Sequence, residues 1–184
     1  MTFATASRAR GYSACGPRSD MDVVQLFADH HRPLSRYLMR FTGDADVAAD
    51  AAQEAFVRAM NQKTTPANPR AWLYTVATNI VRDEARSRSR RGLILAQANE
   101  ELAMTSTVPD PSMELDASER RAMVQRALLD LSEKERTALL MREEGFAQRE
   151  IADALGTTIG TVGSLTARAL VKLAQRLNIE GSEG

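Results

Sequence analysis

Three groups of side chains in this 184-residue sequence have the types and spacing to do chemistry, and all three suit contact with a charged partner. From Arg70 to Arg91 six arginines (70, 82, 86, 88, 90 and 91) stand against two acids, Asp83 and Glu84, with Trp72 and Tyr74 beside the first of them. Guanidinium groups next to aromatic faces suit phosphates and unstacked bases, each stacked base being worth roughly 1–3 kcal/mol. Asp44, Asp46, Asp50 and Glu54 form the second group. Asp50 and Glu54, at i and i+4, repel unless a basic surface meets them. The third runs from Gln148 to Val162, where Ala152, Gly156 and Val162 have the offsets of a helix-turn-helix. The small residue allows two helices to cross closely, glycine takes the positive φ that ends the first helix, and valine returns to the crossing. Ile151, Leu155 and Leu165 add apolar positions at helical spacing.

Catalysis finds little support. His30 and His31 are adjacent, about 100° apart on a helix, so they cannot share a metal as an i, i+4 pair does. There is no glycine-rich phosphate loop, nucleophile elbow or metal-ligand spacing, so no catalytic residue, metal or cofactor is expected. The acidic group reads as a solvated face rather than a metal cluster. Cys15 is the single cysteine, which excludes an intrachain disulfide framework. No apolar run approaches the ~20 residues that span a bilayer, so no membrane insertion and a cytoplasmic location are expected. Lysine plus arginine and aspartate plus glutamate number 24 each, so net charge is uninformative and its distribution decides. Arg168, Lys172 and Arg176 make a second basic island from Thr157 to Leu177 that holds no acid.

The elements that must position these groups are all helical. Apolar periodicity predicts helices over 22–41, where Pro33 is a kink or local break, and over 45–60. The latter places Val47, Ala48, Ala51, Ala52, Ala55, Phe56, Ala59 and Met60 on one face. Asn68-Pro69 reads as an N-cap and first helical residue, opening a helix that runs into the arginine cluster. Further helices are expected over 118–131, 132–144, 147–155 and 158–178; Ser132 with Glu135 is a capping box. The fold class is therefore all-α, two small helical domains joined by an acidic flexible linker. Residues 1–20 read as a disordered extension with Met21 as the physiological start. The first domain spans 21–92, the linker 93–117, the helix-turn-helix domain 118–178 and a tail 179–184.

These segments, in this order, resemble bacterial sigma factors of the extracytoplasmic-function (ECF) group of the sigma-70 family. The run from Asp46 to Ala59 is similar to the family's polymerase-binding helix, which implies that Asp46, Asp50, Gln53, Glu54 and Arg58 face core RNA polymerase. Pro69 to Leu73, Ala77 to Asn79, Asp83 and Arg86 are similar to the segment that melts and reads the −10 promoter element. That implies −10 contacts from Lys63, Arg70, Trp72, Tyr74, Asn79, Arg82, Arg86 and Arg90, with Asn79 and the 61–70 loop reading the extruded base. Leu128 to Arg142, Glu150 to Ala152 and Gly160 to Val162 with Ser164 are similar to the −35-binding domain. Arg149, Thr157, Thr158, Thr161, Ser164, Arg168 and Lys172 are the implied −35 contacts, with Thr166 also available. The chain departs from the family pattern at Gly163 and Leu165, where a lysine and an arginine are usual. Losing those phosphate contacts flattens the salt dependence of binding by nearly one unit of slope each. The resemblance also implies promoter DNA and an anti-sigma factor as partners. A helix-turn-helix regulator that binds an operator without polymerase is the alternative, and a polymerase-binding decoy that no longer initiates is a third reading.

Overall fold

The computed structural model describes residues 21–96 and 115–180, with side chains over 21–88 and 119–177. Among the described residues every regular element is a helix. Residues 1–20, Cys15 with them, and 97–114 lie outside the description, so the expectations of a disordered extension, a start at Met21 and a flexible linker fall on undescribed residues.

Helix α1, Val23–Thr42, is opened by Asp22, whose carboxylate accepts from the Gln25 N–H at 3.0 Å. It is closed by Gly43 at φ 73°, where the glycine N–H returns to the Met39 carbonyl. The helix runs through Pro33 without a break. A proline inside a helix costs about 3 kcal/mol or more, which burial of Leu34, Tyr37 and Leu38 just beyond it offsets. Asp44 opens α2, Ala45–Met60, by accepting from the Asp46 and Val47 N–H groups. Ala48, Ala51, Ala52, Ala55 and Ala59 are all buried, and their small side chains bring α2 close against α1 and α3. Met60 departs from the expected face: it is 71 % exposed, because the helix ends there and the chain turns away. Asn68 caps α3, Pro69–Ala96, through the Ala71 N–H at 3.0 Å. Leu73, Tyr74, Ala77 and Val81 of α3 complete the first core.

The second core is made by α4 (Leu115–Leu129), α5 (Glu133–Glu143), α6 (Gln148–Leu155) and α7 (Ile159–Glu180). The helices on either side of the expected linker are longer than periodicity suggested, α3 by some four residues and α4 by three. Neither extension carries the apolar spacing that made the rest legible. Ser132 and Glu135 form the capping box, the Ser132 N–H donating to Glu135 Oε2 at 3.0 Å. Arg136 closes the C-terminus of α4, donating to the carbonyls of Leu128, Leu129 and Leu131 at 2.8, 2.7 and 3.1 Å. Only a guanidinium has donors enough in one plane for that task, and burial pushes its pKa below the ordinary arginine value. Leu140, Met141, Ile151, Val162 and Ala169 are almost fully buried between α5, α6 and α7.

The two bundles meet along one side. α1 packs against α4 and α5, and α3 packs against α6. Arg136 reaches the Phe41 carbonyl at 2.7 Å and Gln125 the Arg40 carbonyl at 3.0 Å. Gly43 sits in this seam; a Cβ there would lie 3.2 Å from both Gln125 Nε2 and Leu129 Cδ1, and its positive φ already disfavours any side chain.

Candidate nucleic-acid interface

In the second bundle α6 and α7 make the crossing that the spacing of Ala152, Gly156 and Val162 demands. Ala152 and Val162 are buried, with Ile151 and Leu165 beside them. Gly156 takes φ 60°, and the Thr157 N–H closes on the Ala152 carbonyl at 2.9 Å. Thr158 caps α7 through the Thr161 N–H at 3.3 Å, and the two hydroxyls lie 2.9 Å apart. Arg149, Thr158, Thr161, Ser164 and Arg168 are exposed, and Thr157 is half-buried. Thr166 departs from this group: it is buried and donates to the Val162 carbonyl at 2.9 Å, as a threonine does when its hydroxyl has no water to meet. The ammonium of Lys172 is bound by the Glu135 carboxylate, and Arg168 Nε lies 3.9 Å from that carboxylate. Gly163 is half-buried, yet a Cβ there would meet nothing within 4 Å.

In the first bundle the acidic group lies along one side of α2. Asp46, Asp50, Gln53, Glu54 and Arg58 are all exposed. Arg58 Nε pairs with Glu54 Oε1 at 2.8 Å, which relieves part of the repulsion between Asp50 and Glu54. Beside this face, between α1 and α2, is an apolar groove of about 930 Å³. Its exposed apolar lining includes Val24, Phe27, Met39, Val57 and Met60, with Gln53 at the acidic edge. Sequence reasoning missed this groove. The signal was present: α2 has more apolar positions than one buried stripe uses, and the surplus is what lines the groove. Phe27 stacks on His31 at 4.6 Å and meets Phe56 edge-on at 4.9 Å. Burial, with Arg70 nearby, lowers the pKa of His30. Among the described residues no group of three metal-ligating side chains converges.

On α3 the implied −10 residues divide. Lys63, Asn79 and Arg86 are exposed, and Trp72 is half-buried. Arg86 lies 3.8 Å from Asp83, an exposed pair of little energetic weight. Arg90 continues α3, its side chain outside the described residues. Tyr74 is fully buried, edge-on to Tyr37 at 5.1 Å and Phe146 at 4.9 Å, so its ring is not open to a base in this arrangement. Its hydroxyl donates to Glu144 Oε2 at 3.4 Å, and burial with the nearby Glu144 charge raises its pKa well above the ordinary tyrosine value. Arg70 donates to the Glu144 carbonyl and lies 4.2 Å over the Phe146 ring. Arg82 pairs with Glu133 and donates to Thr137 Oγ1 at 3.1 Å.

Comparison with known proteins coincides with these bundles. A family model for sigma-70 region 2 matches residues 26–91, and one for sigma-70 region 4 matches residues 121–173. The chain is 34 % identical over 163 residues to the ECF RNA polymerase sigma factor SigL of Mycobacterium tuberculosis H37Rv, covering 84 % of this chain and 89 % of that one. It is 32 % identical over 155 residues to the ECF RNA polymerase sigma factor EcfG of Rhodopseudomonas palustris, covering 82 % of each. Its fold is similar to that of the sigma factor RpoE of Bartonella quintana, solved with the anti-sigma factor NepR. That likeness has a TM-score of 0.68 at 23 % identity, over 86 % of this chain and 98 % of that one.

Proposed function

The chain belongs to the extracytoplasmic-function group of the sigma-70 family, and from that premise we propose a division of labour among its surfaces. It is an alternative sigma factor that binds core RNA polymerase and directs transcription initiation at its own promoters. It acts by binding and positioning and supplies no catalytic group. The exposed row Asp46, Asp50, Gln53, Glu54 and Arg58 docks on a basic surface of the polymerase, and the adjoining apolar groove extends that contact. Domain 1, residues 21–92, captures the −10 element, with Asn79 and the 61–70 loop reading an extruded base. Lys63, Arg70, Trp72, Arg82, Arg86 and Arg90 hold its strand. Unstacking a base costs a few kcal/mol, which contacts to polymerase help to supply. Domain 2, residues 118–178, lays α7 in the −35 major groove, with Arg149, Thr157, Thr158, Thr161, Ser164 and Arg168 facing the duplex.

The observation that carries this reading is the acidic row on α2. It is exposed and only partly neutralised from within, and it shares a chain with a helix-turn-helix; a regulator acting without polymerase has no use for it. The protein works in the cytoplasm; among the described residues no helix is long and apolar enough to cross a membrane. An anti-sigma factor that covers the polymerase-docking surfaces holds it inactive, as NepR is bound to the Bartonella protein.

Run-off transcription tests the proposal: the protein with its cognate core polymerase on the DNA upstream of its own gene, beside Asp50→Lys and Asn79→Ala. A discrete transcript that requires the protein and is lost with both variants is expected. Stable polymerase binding without a transcript would favour the decoy, and no polymerase binding would return the chain to the regulator class.

A further inference from the structure

Every cation of α7 is turned back onto its own domain. Lys172 Nζ donates to both carboxylate oxygens of Glu135, and Arg168 Nε lies 3.9 Å from the same carboxylate. Arg176 Nη2 lies 3.1 Å from Asp130 Oδ2. From Thr157 to Leu177 there is no other charge of either sign. The basic island that the sequence displays is therefore largely neutralised from within. At about 100° per residue the three cations also share one flank of the helix, where they suit phosphates at the edge of a groove rather than bases at its floor.

What α7 turns outward carries no charge. Opposite the buried line of Val162, Leu165, Thr166 and Ala169 stand Gly160, Ser164, Ala167 and Val171, all four exposed. Val171 is 57 % exposed, and Leu170 beside it is 52 % exposed. Over about 17 Å of helix this face holds one hydroxyl and is otherwise hydrocarbon. The Ser164 hydroxyl donates to the Gly160 carbonyl at 3.2 Å, so what it has left to offer a base is its lone pairs. Base edges ask different things of such a face. Guanine shows two acceptors and is read by the paired donors of an arginine or lysine; cytosine shows an amino group and is read by a carboxylate. Neither reader is present on the outer line. Thymine shows a methyl group, which an apolar side chain meets, and adenine shows an amino group that a lone pair accepts. Arg149 stands on α6, the helix that crosses the phosphate backbone in this motif.

We propose that this chain reads its −35 element through thymine methyl groups: the outer face of α7 takes A·T pairs whose methyls pack on Ala167 and Val171. Ser164 accepts from an adenine amino group between them. Arg168, held by Glu135, positions the helix on phosphate and takes no guanine. The inference deepens the assignment of α7 to the −35 element and rests on it.

The test uses the holoenzyme, this chain with its cognate core polymerase, on the promoter that the run-off start site locates. Three fluorescein-labelled duplexes are compared by equilibrium titration. One is unaltered. The second carries deoxyuridine for every thymidine of the −35 window on either strand, and the third carries 7-deazaguanine for every guanine there. Uracil lacks only the methyl and should weaken binding about fourfold per contacted base, the factor for one buried carbon. The 7-deazaguanine duplex should bind almost as the unaltered one does, whereas a bidentate guanine contact would make it about fivefold weaker or more. The double variant Ala167→Gly with Val171→Ser should bind the thymine and uracil duplexes alike. Mere loss of helix stability would weaken both and leave their ratio unchanged. Equal affinity of the unaltered holoenzyme for thymine and uracil would overturn the inference. So would a fivefold loss with 7-deazaguanine, or full discrimination retained by the double variant. Any of these beside a normal transcript would sink this inference alone. Absence of any transcript would sink the sigma-factor assignment and this inference with it.

Discussion

Lys172 Nζ donates to both oxygens of Glu135, at 2.8 and 3.1 Å, and so ties the middle of α7 to the first turn of α5. Glu135 is already the capping-box partner of Ser132. Hydrogen bonds from Lys172 and then Ser132 hold its carboxyl down at about 2, against an ordinary value of 4.5. A depressed carboxylate contributes stability that is fully present above the unfolded value and is lost as pH falls through the folded one. Glu135→Gln is therefore expected to lower stability near neutrality by about 1–2 kcal/mol, the worth of a cap and a charge-assisted bond. Chemical denaturation from about pH 6 down to about pH 2 checks this: the gap between wild type and variant should close across the lower half of that range.

The same contact bears on DNA binding, because it leaves α7 with little positive charge to offer. A lysine at position 163 would supply some. A Cβ at Gly163 meets nothing within 4 Å, so the side chain costs no packing, and leaving glycine gains up to about 1 kcal/mol of helix propensity. Gly163→Lys is expected to raise the melting temperature slightly and to tighten binding to −35 duplex. Titrations at several salt concentrations should show a slope steeper by nearly one unit. An unchanged slope would mean that this turn of α7 does not approach a phosphate.

On α2, Asp50 separates stability from docking. Asp46 and Glu54 lie four residues to either side, so a lysine at 50 exchanges two like-charge pairs for two attractive ones. Helix stability is expected to rise by about 0.5 kcal/mol. Polymerase affinity is expected to fall at least about tenfold, since a cation would then face a basic partner. Pull-down or anisotropy with core polymerase measures the second effect, and a thermal melt the first. A parallel fall in both would mean that Asp50 serves the fold rather than the interface.

Where the sequence was legible, side-chain chemistry and chain position coincided. Asn68-Pro69, Ser132 with Glu135, and Gly156 each announce a helix end by a local requirement that no distant contact alters, and each is found there. Tyr74 and Glu144 were opaque for the opposite reason. An aromatic beside arginines reads equally as core or as base-stacking platform, and what settles its place is Phe146, seventy-two positions away. Glu144 carries no local signal, because an acid at a helix end is placed by its distant partner, here Arg40. The groove beside Met60 escaped because counting apolar residues shows how many there are, not which of them a third helix covers.

The Tyr37 hydroxyl lies 2.9 Å from Thr78 Oγ1 in the buried centre of domain 1, and Thr78 in turn donates to the Tyr74 carbonyl at 2.7 Å. Because the threonine proton is committed to that carbonyl, the tyrosine must be the donor in the shared bond. Burial, outweighing the Thr78 bond, pushes its pKa up to about 12, so it remains protonated throughout the accessible range. The two obvious deletions are then unequal. Tyr37→Phe leaves Thr78 still bonded to its carbonyl and is expected to cost about 1 kcal/mol. Thr78→Val strands a fully buried hydroxyl with no acceptor and is expected to cost about 2–3 kcal/mol, although it is nearly isosteric. Equal losses on urea denaturation, or a larger one for Tyr37→Phe, would mean that the proton runs the other way. The double variant closes the argument: with both polar groups gone, nothing is left unsatisfied, and stability should recover to near that of Tyr37→Phe alone.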